Sequence, residues 1–531
     1  MNAFEPVLIG GAWRAPLDPQ GGFRAEDPSR ATAIGPDFPV SGPADLEAAM
    51  RAAVAVADEL AATPATRIAD FLDRYADAID ADVDTLVALA HAETALPVEP
   101  RLRTVELPRA SGQLRQAAKA VRGYTWTQPT IDTVAGLRAH RAPLAKPVLI
   151  FGPNNFPYAF NAIAGSDFAS AIAARNPVIA KAHPSHPATS QRLAQLAHTT
   201  LTEAGLPAAA VQLLYHFDNA HGIGLAGDTR LGAIGFTGSR TGGLALKAAA
   251  DRGGVPIYAE LSSVNPVFLL PGALAERGDA LAQEFFASCV MGSGQFCTNP
   301  GIVVVPEGPR GDTFVTSARA LFAAAAPKVL FSRGVRDNLV RAVADLREAG
   351  ATVLAGGGTG EGDGYLHEPT LLVVDAETFK ASPGALQTEA FGPVSLIVRA
   401  ADTQTMAALA TTFEGNLTGT LYRAADGSDD AAWQTIALAL RHKVGRLIAN
   451  KMPTGVAVSA AMNHGGPYPS TGHPGFTAVG MPASIHRFAA LHSYDGVPEA
   501  LLPIELRDRN PGNVQRLIDG RWSQDDIGGK A

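Results

Sequence analysis

A chain of 531 residues with 47% hydrophobic and 18% charged positions is too long for one hydrophobic core and too apolar for disorder, so two or more domains are expected. Its formal net charge of −8, with no long basic block, leaves no electrostatic footprint for nucleic acid. Two cysteines cannot make a disulfide framework; with Glu5 early and no basic stretch before an apolar run, they point to a cytoplasmic protein with reduced thiols.

From Pro43 to Glu93 small and aliphatic residues recur three and four apart among Asp and Arg, which predicts helix. The rhythm changes at Val148. Val148–Phe151 reads as a buried strand, Tyr158–Arg175 as a helix, and Val178–Ala180 as a second strand after the Asn176-Pro177 break. A helix over roughly Ala188–Ala204, strands Val211–Tyr215 and Leu231–Phe236, and a helix Arg240–Ala250 continue the alternation. Strand, helix, strand in this order predicts parallel pairing through right-handed crossovers, an α/β fold with a Rossmann-like parallel sheet. After the apolar runs Pro256–Leu261 and Val267–Leu270, a long helix (about Ala275–Met291), a strand Ile302–Val305 and further alternation to about Gly445 predict a second α/β domain. Two charge-free stretches, Pro147 to Ser166 and Phe285 to Pro306, are long enough to raise the question of a membrane span. Pro153, Asn154, Asn155 and Pro157 break the first, and Gly292, Gly294, Gln295, Asn299 and Pro300 the second, so neither is expected to cross a membrane.

Three segments carry residue types suited to chemistry. In Gly292-Ser-Gly-Gln-Phe-Cys297-Thr-Asn-Pro-Gly301, between a helix and a strand, small residues let one sulfur approach a ligand. From the residues alone Cys297 reads equally as a nucleophile or as a small buried hydrophobe, whereas Cys289, in the apolar run Phe285–Met291, reads as the latter. The turn Gly235-Phe-Thr-Gly-Ser239-Arg-Thr-Gly-Gly243 lies at a strand-to-helix junction, where backbone N–H groups can approach a phosphate and Ser239 can cap the helix. An ordinary tight turn fits it as well, and its spacing departs from the usual G-x-G-x-x-G. In Glu260-Leu-Ser-Ser-Val-Asn265-Pro266 a carboxylate follows a buried strand; burying it is costly unless it is paired or used, which suits a general base or a satisfied strand-end residue.

Asn155-Phe-Pro157, Lys181, Gly235-Phe-Thr-Gly-Ser239, Glu260-Leu-Ser-Ser-Val-Asn-Pro266, Gly294-Gln-Phe-Cys297 and Glu389-Ala-Phe391-Gly-Pro-Val394 occur in the order and approximate spacing of the aldehyde dehydrogenase superfamily, over about 300 residues. The chain resembles that family, and within it the NADP-linked branch acting on 2,5-dioxopentanoate (α-ketoglutarate semialdehyde) or, in some members, on long-chain aldehydes. The resemblance implies a cofactor-binding domain over 1–127 and 147–268, a catalytic domain over 269–458, and an oligomerisation hairpin over 128–146 joined by part of 459–531. It implies that Cys297 attacks the aldehyde, that Asn155 donates to the oxyanion, and that Glu260 activates the water that hydrolyses a thioester. It further implies that Lys181 and Glu389 hold the two riboses, that Phe391 packs beside the nicotinamide, and that Gly235 and Ser239 lie by the pyrophosphate. No metal is implied. The expected partners are a small aldehyde and further copies of the same chain, in a dimer or tetramer.

NAD-specific relatives often carry a glutamate three residues after the lysine; here that position is Pro184, with His183 and His186 as further potential cations. Losing the acid favours a 2′-phosphate, and so NADP with NAD as the alternative. Only Arg192, on a predicted helix, is otherwise placed to clamp that phosphate. An ω-semialdehyde with a far carboxylate needs a cation in its tunnel; Arg101, Arg103 and Arg109 fall in the flanking segment, where a solvated helix face is the other reading. Late in the chain, Gly445-Arg-Leu-Ile-Ala-Asn450 and His464-Gly-Gly-Pro-Tyr-Pro469 resemble segments bordering the substrate, although His464-Gly-Gly departs from the more usual Pro-Phe-Gly-Gly. Three alternatives stand beside this reading: a medium- or long-chain fatty aldehyde dehydrogenase, a coenzyme A-acylating enzyme (which Glu260 argues against), and a non-catalytic scaffold.

Overall fold

The computed structural model describes residues 4–528, so residues 1–3 and 529–531 of the division above lie outside it. Two seven-stranded sheets dominate the molecule. The first runs Ile257–Glu260, Ala233–Thr237, Val148–Phe151, Val178–Lys181, Val211–Leu214, all parallel, and is extended by the antiparallel strands Val7–Ile9 and Ala12–Arg14. From Val148 the chain builds outward in one direction for three strands, then returns to place Ala233–Thr237 and Ile257–Glu260 on the other side. That reversal beside Val148–Phe151 is the topological switch point at which open α/β sheets bind ligands, outside the carboxyl ends of their strands.

Helices pack on both faces, which is why these strands read as unbroken apolar runs. The helical pattern of Pro43–Glu93 is four helices, Pro43–Ala55, Ala57–Ala62, Ala65–Ala81 and Val83–Thr94. One break falls at Thr63, which is extended because the ring of Pro64 disfavours helical geometry in the residue before it. The predicted helix Tyr158–Arg175 is shorter, Ser166–Ala173. Residues 158–165 form successive turns instead, in which the Asn161 amide donates to the Pro157 carbonyl (2.9 Å) and accepts from the Ile163 N–H (3.1 Å). A side chain that bonds its own neighbouring backbone competes with helix in this way.

The second sheet runs Thr352–Ala355, Thr370–Asp375, Val394–Ala400, Ile302–Pro306, Val267–Leu269, Asn416–Tyr422, Val444–Ala449, parallel apart from its first strand. Successive residues of Ile302–Pro306 enter opposite cores: Ile302 and Val304 join Phe268 and Leu339, whereas Val303 and Val305 join Phe285 and Phe314. One expectation is corrected here. A boundary between 268 and 269 cuts Val267–Leu269, which pairs with Ile302–Pro306 and Asn416–Tyr422; the chain changes sheets earlier, between Glu260 and Val267.

The segment 128–146 forms the hairpin Thr130–Asp132 and Leu137–Pro143. It joins Ala489–Asp495, Arg516–Ile518 and Arg521–Ser523 in a five-stranded sheet. Among the described residues no helix is long and apolar enough to cross a membrane.

Candidate active site

The carboxyl edge of the first sheet collects the residues singled out in the sequence. Phe151, Lys181, Thr237 and Glu260 are strand ends in register with one another through Phe151↔Lys181, Phe236↔Phe151 and Thr237↔Glu260. Asn155 follows the first of these strands, and its side-chain N–H donates to the Gln295 carbonyl (3.0 Å), two residues before Cys297. The Arg101 guanidinium donates to the Asn155 backbone carbonyl (2.9 Å) and pairs with buried Glu106. Glu106 in turn accepts the N–H groups of Tyr158 (2.9 Å) and Ala159 (3.1 Å), so it organises the turns that carry Asn155.

Cys297 arrives from the other side, at the end of the helix Pro271–Val290. Gly292, Ser293 and Gly294 all have positive φ (54°, 59° and 69°), which folds the loop back on itself. A Cβ on Gly294 would collide with the Gly392 carbonyl, so this position needs glycine on both counts. Asn265 anchors the loop: its amide donates to the carbonyls of Cys297 (2.9 Å) and Asn299 (2.8 Å), while its oxygen accepts from Ser263 and Thr418 hydroxyls. Without that amide the Cys297 carbonyl has no partner among the described residues, whereas that of Asn299 keeps the Gly301 N–H (2.8 Å); one such orphaned carbonyl costs about 1–3 kcal/mol. Alanine at 265 must also hold the positive φ of 47°, which adds about 1–2 kcal/mol. Asn265→Ala is therefore expected to lose about 3 kcal/mol or more of stability, read as a lower urea midpoint, and most of its activity; an unchanged midpoint and rate would refute the anchoring role.

The loop delivers Cys297 to a buried pair that the sequence did not fully reveal. Glu260 is 1% exposed, and so is His464. His464 Nε2 stands 3.3 Å from Cys297 Sγ and 3.1 Å from Glu260 Oε1. That nitrogen bonds the sulfur, and both Glu260 oxygens are buried without a hydrogen-bond partner among the described residues, close to the ring and free for a proton. Burial above all, then the negative charge of Glu260, pushes the Cys297 thiol well above its usual range, and Arg109 opposes this. The three residues offer ligand atoms within 4.8 Å of one another, a Cys/His/Glu set that a soft divalent ion could also use. His464 is held by backbone bonds, its N–H donating to Thr477 Oγ1 (3.0 Å) and its carbonyl accepting from Ala478 (2.8 Å). The same late segment is zipped onto Ala259–Leu261 through the Leu261–Ser470 and Gly472–Ala259 bonds. Cys289, by contrast, is fully buried in the apolar core, its thiol pushed up to about 12.

On the cofactor side the residues singled out in the sequence have unlike surroundings. Ser239 sits exposed at the start of the helix Arg240–Gly253 and caps it, its Oγ accepting from the Gly242 N–H (3.2 Å). Gly235 is not in that turn. It is buried in mid-strand, where a Cβ would lie 2.7 Å from Asp167 Oδ2, so its smallness lets the helix Ser166–Ala173 pack against the strand. Glu389 and Phe391 line a narrow pocket with Ser263, Gly294 and Phe296, beside the cysteine loop. Burial pushes the Glu389 carboxyl up to about 7, against the Ser263 N–H that it accepts at 3.4 Å. Lys181 is pushed down to about 8 by burial. His183 is held well below its usual range, and His186 at about 4, by burial and by the Lys181 charge. They are therefore neutral near pH 7 and add no cation. Arg192 is spent on Asp82 through two bonds of 2.7 and 2.8 Å. Of the expected phosphate-side cations Lys181 remains.

Residues 13–490 match the aldehyde dehydrogenase family. The chain belongs to that family. Alpha-ketoglutaric semialdehyde dehydrogenase 2 of Azospirillum brasilense is 40% identical to this aldehyde dehydrogenase over 533 residues, covering 98% of this chain and all of that one. Alpha-ketoglutaric semialdehyde dehydrogenase of Acinetobacter baylyi is 36% identical and covers 86% of this chain and 87% of its own. Among solved structures, an aldehyde dehydrogenase C variant of Pseudomonas syringae in complex with NAD+ and octanal superposes with a TM-score of 0.80 at 21% identity, over 94% of this chain and 98% of that one. The fold is thus that of the family, and the activity is oxidation of an aldehyde.

Proposed function

We propose that this aldehyde dehydrogenase oxidises 2,5-dioxopentanoate to 2-oxoglutarate, preferring NADP to NAD, through a thiohemiacetal and then a thioester on Cys297. The observation that carries this reading is the convergence of Cys297, Glu260 and His464 within 4.8 Å, with Asn155 bonded to the cysteine loop. The substrate is supported by the two semialdehyde dehydrogenases that the chain resembles along most of its length.

Each residue then has a chemical task. His464 Nε2, next to the sulfur, takes the thiol proton as Cys297 adds to the aldehyde carbon. Asn155 has a second N–H beyond the one given to Gln295, and with the Cys297 N–H it receives the oxyanion; a preorganised donor of this kind contributes roughly 2.7–4 kcal/mol. A bound oxidised nicotinamide supplies the hydride acceptor. Glu260 takes a proton from water as its oxygen attacks the thioester, and the carboxylic acid leaves as Cys297 regains its thiol. The described residues fit the cofactor: Glu389 and Phe391 line the pocket beside the cysteine loop, Lys181 ends a strand at the switch-point edge, and the capped helix behind Ser239 offers its N-terminus to the pyrophosphate. Pro184 puts no carboxylate against a 2′-phosphate. In this reading the first sheet holds the cofactor and the second carries the nucleophile. The small sheet mediates a homodimer or tetramer in the cytoplasm; its outer strand Ala489–Asp495 ends the sheet with Leu491 exposed.

A kinetic panel of 2,5-dioxopentanoate and straight-chain aldehydes of increasing length, each with NAD and NADP, tests the reading. We expect kcat/KM for 2,5-dioxopentanoate to exceed that for pentanal by on the order of 100-fold, the value of one charged contact, and NADP to outperform NAD. Preference for a long-chain aldehyde would overturn the substrate and leave the reaction class.

A further inference from the structure

We infer that Arg109 is the receptor for the terminal carboxylate of the substrate. The inference rests on the semialdehyde reading above and names the group that makes it selective. A carboxylate at the far end of an aldehyde loses its hydration in an apolar tunnel, so a cation with unused donors must meet it there.

Three arginines lie between residues 101 and 109, in the segment bonded to the turns that carry Asn155, and their surroundings separate them. Arg103 is on the solvent side, paired with Asp84 (2.7 Å) and Glu99 (3.5 Å). Arg101 is buried but spent, on Glu106 and on the Asn155 carbonyl. Arg109, in the first turn of the helix Leu107–Arg122, has Nε and Nη2 buried with no hydrogen-bond partner among the described residues. These two atoms form one edge of the guanidinium, the edge that grips a carboxylate with two parallel bonds. Glu106, three residues earlier, makes no bond to them; its oxygens face Arg101, Tyr158 and Ala159.

The position is also right. The Arg109 guanidinium carbon lies 5.3 Å from the Phe156 ring centre and 4.9 Å from that of Phe160. Phe160 packs 5.7 Å from the His464 ring, and His464 touches the Cys297 sulfur. Aromatic rings therefore hold the cation, and a short apolar wall leads from it to the nucleophile. An acyl chain laid along that wall places its aldehyde at Cys297 and its acid at Arg109. One other buried arginine feels Cys297: Arg446, whose Nη2 donates to the carbonyls of Pro453 (3.3 Å) and Gly455 (3.1 Å). Its Nε is also buried without a partner among the described residues, but with Nη2 held by backbone only one atom of that edge is left, where Arg109 offers both.

The test compares kcat/KM for 2,5-dioxopentanoate and for pentanal in the wild type, Arg109→Met, Arg109→Lys and Arg446→Met. Methionine replaces a cation whose buried edge has no hydrogen-bond partner among the described residues by an apolar chain of similar reach, a change that folded proteins tolerate. We expect the acid-to-neutral ratio to fall about 100-fold in Arg109→Met, about 2.7 kcal/mol of lost discrimination, through KM for the acid. Lysine should recover part of the ratio, and Arg446→Met should keep it. Two outcomes overturn the assignment with the substrate reading intact: a ratio that survives Arg109→Met, or one that collapses in Arg446→Met. Equal losses on both aldehydes in Arg109→Met would assign Arg109 to the thiol instead, and also overturn it. A wild type with no preference for the acid overturns the substrate reading itself, and shows before any substitution is made.

Discussion

Cys297→Ala is expected to lose aldehyde-dependent NADPH formation by on the order of 10⁵-fold or more, because no other group among the described residues can carry the acyl intermediate. The fold should survive. Cys297 is partly exposed, and its sulfur lies beside His464 and Glu260 without anchoring either element that carries them. The chain's second thiol supplies a control. Cys289 is fully buried among Phe285, Phe314 and Phe322, and its thiol, pushed up to about 12, stays protonated. Cys289→Ala should therefore cost stability through a small cavity and leave turnover largely in place. Activity in Cys297→Ala above about one per cent of wild type would rule out the covalent route.

Glu260→Gln is expected to separate the two halves of the reaction. The variant should give a full burst of NADPH, one equivalent per site, and then turn over 10²–10⁴-fold more slowly than wild type, the usual worth of a positioned base. Acylation should persist for two reasons. His464 Nε2 remains 3.3 Å from the sulfur to take its proton. The negative charge of Glu260 is one of the causes that hold the thiol up, so neutralising it eases ionisation. Deacylation has no such substitute, because a glutamine amide cannot accept the proton of the attacking water. Loss of the burst together with turnover would place Glu260 in acylation; an unchanged steady-state rate would remove it from the mechanism.

Much of this was legible in the sequence because the strands of both sheets are buried on two faces. Val148–Phe151, Val178–Ala180 and Ile302–Val305 read as continuous apolar runs, one residue short of the last two strands, and their helix-linked order predicts the parallel sheet. Asn155, Glu260 and Cys297 stood out through motif spacing, and the structure gathers all three. What stayed hidden depends on contacts far apart in the chain. His464 is 167 residues from Cys297, and it occupies a segment that departs from the more usual Pro-Phe-Gly-Gly, so no spacing could pair the two. Asn265 was noticed as part of a motif, but its hold on the carbonyls of Cys297 and Asn299 is visible only in three dimensions. Gly235 misled in the opposite sense: a glycine near a strand-to-helix turn suggests a phosphate cradle, and here it makes room for Asp167. The two histidines after Lys181 looked like cations, and burial beside that lysine keeps them neutral. Charge state depends on surroundings, which residue type does not encode.

The most direct test of the account is the mass of Glu260→Gln, quenched at the end of the burst with 2,5-dioxopentanoate and NADP and then digested. One acyl group per chain is expected, acid-stable, released by hydroxylamine and carried by the peptide that holds Cys297. An unmodified chain after a full burst, or an acyl group on any other residue, would contradict it.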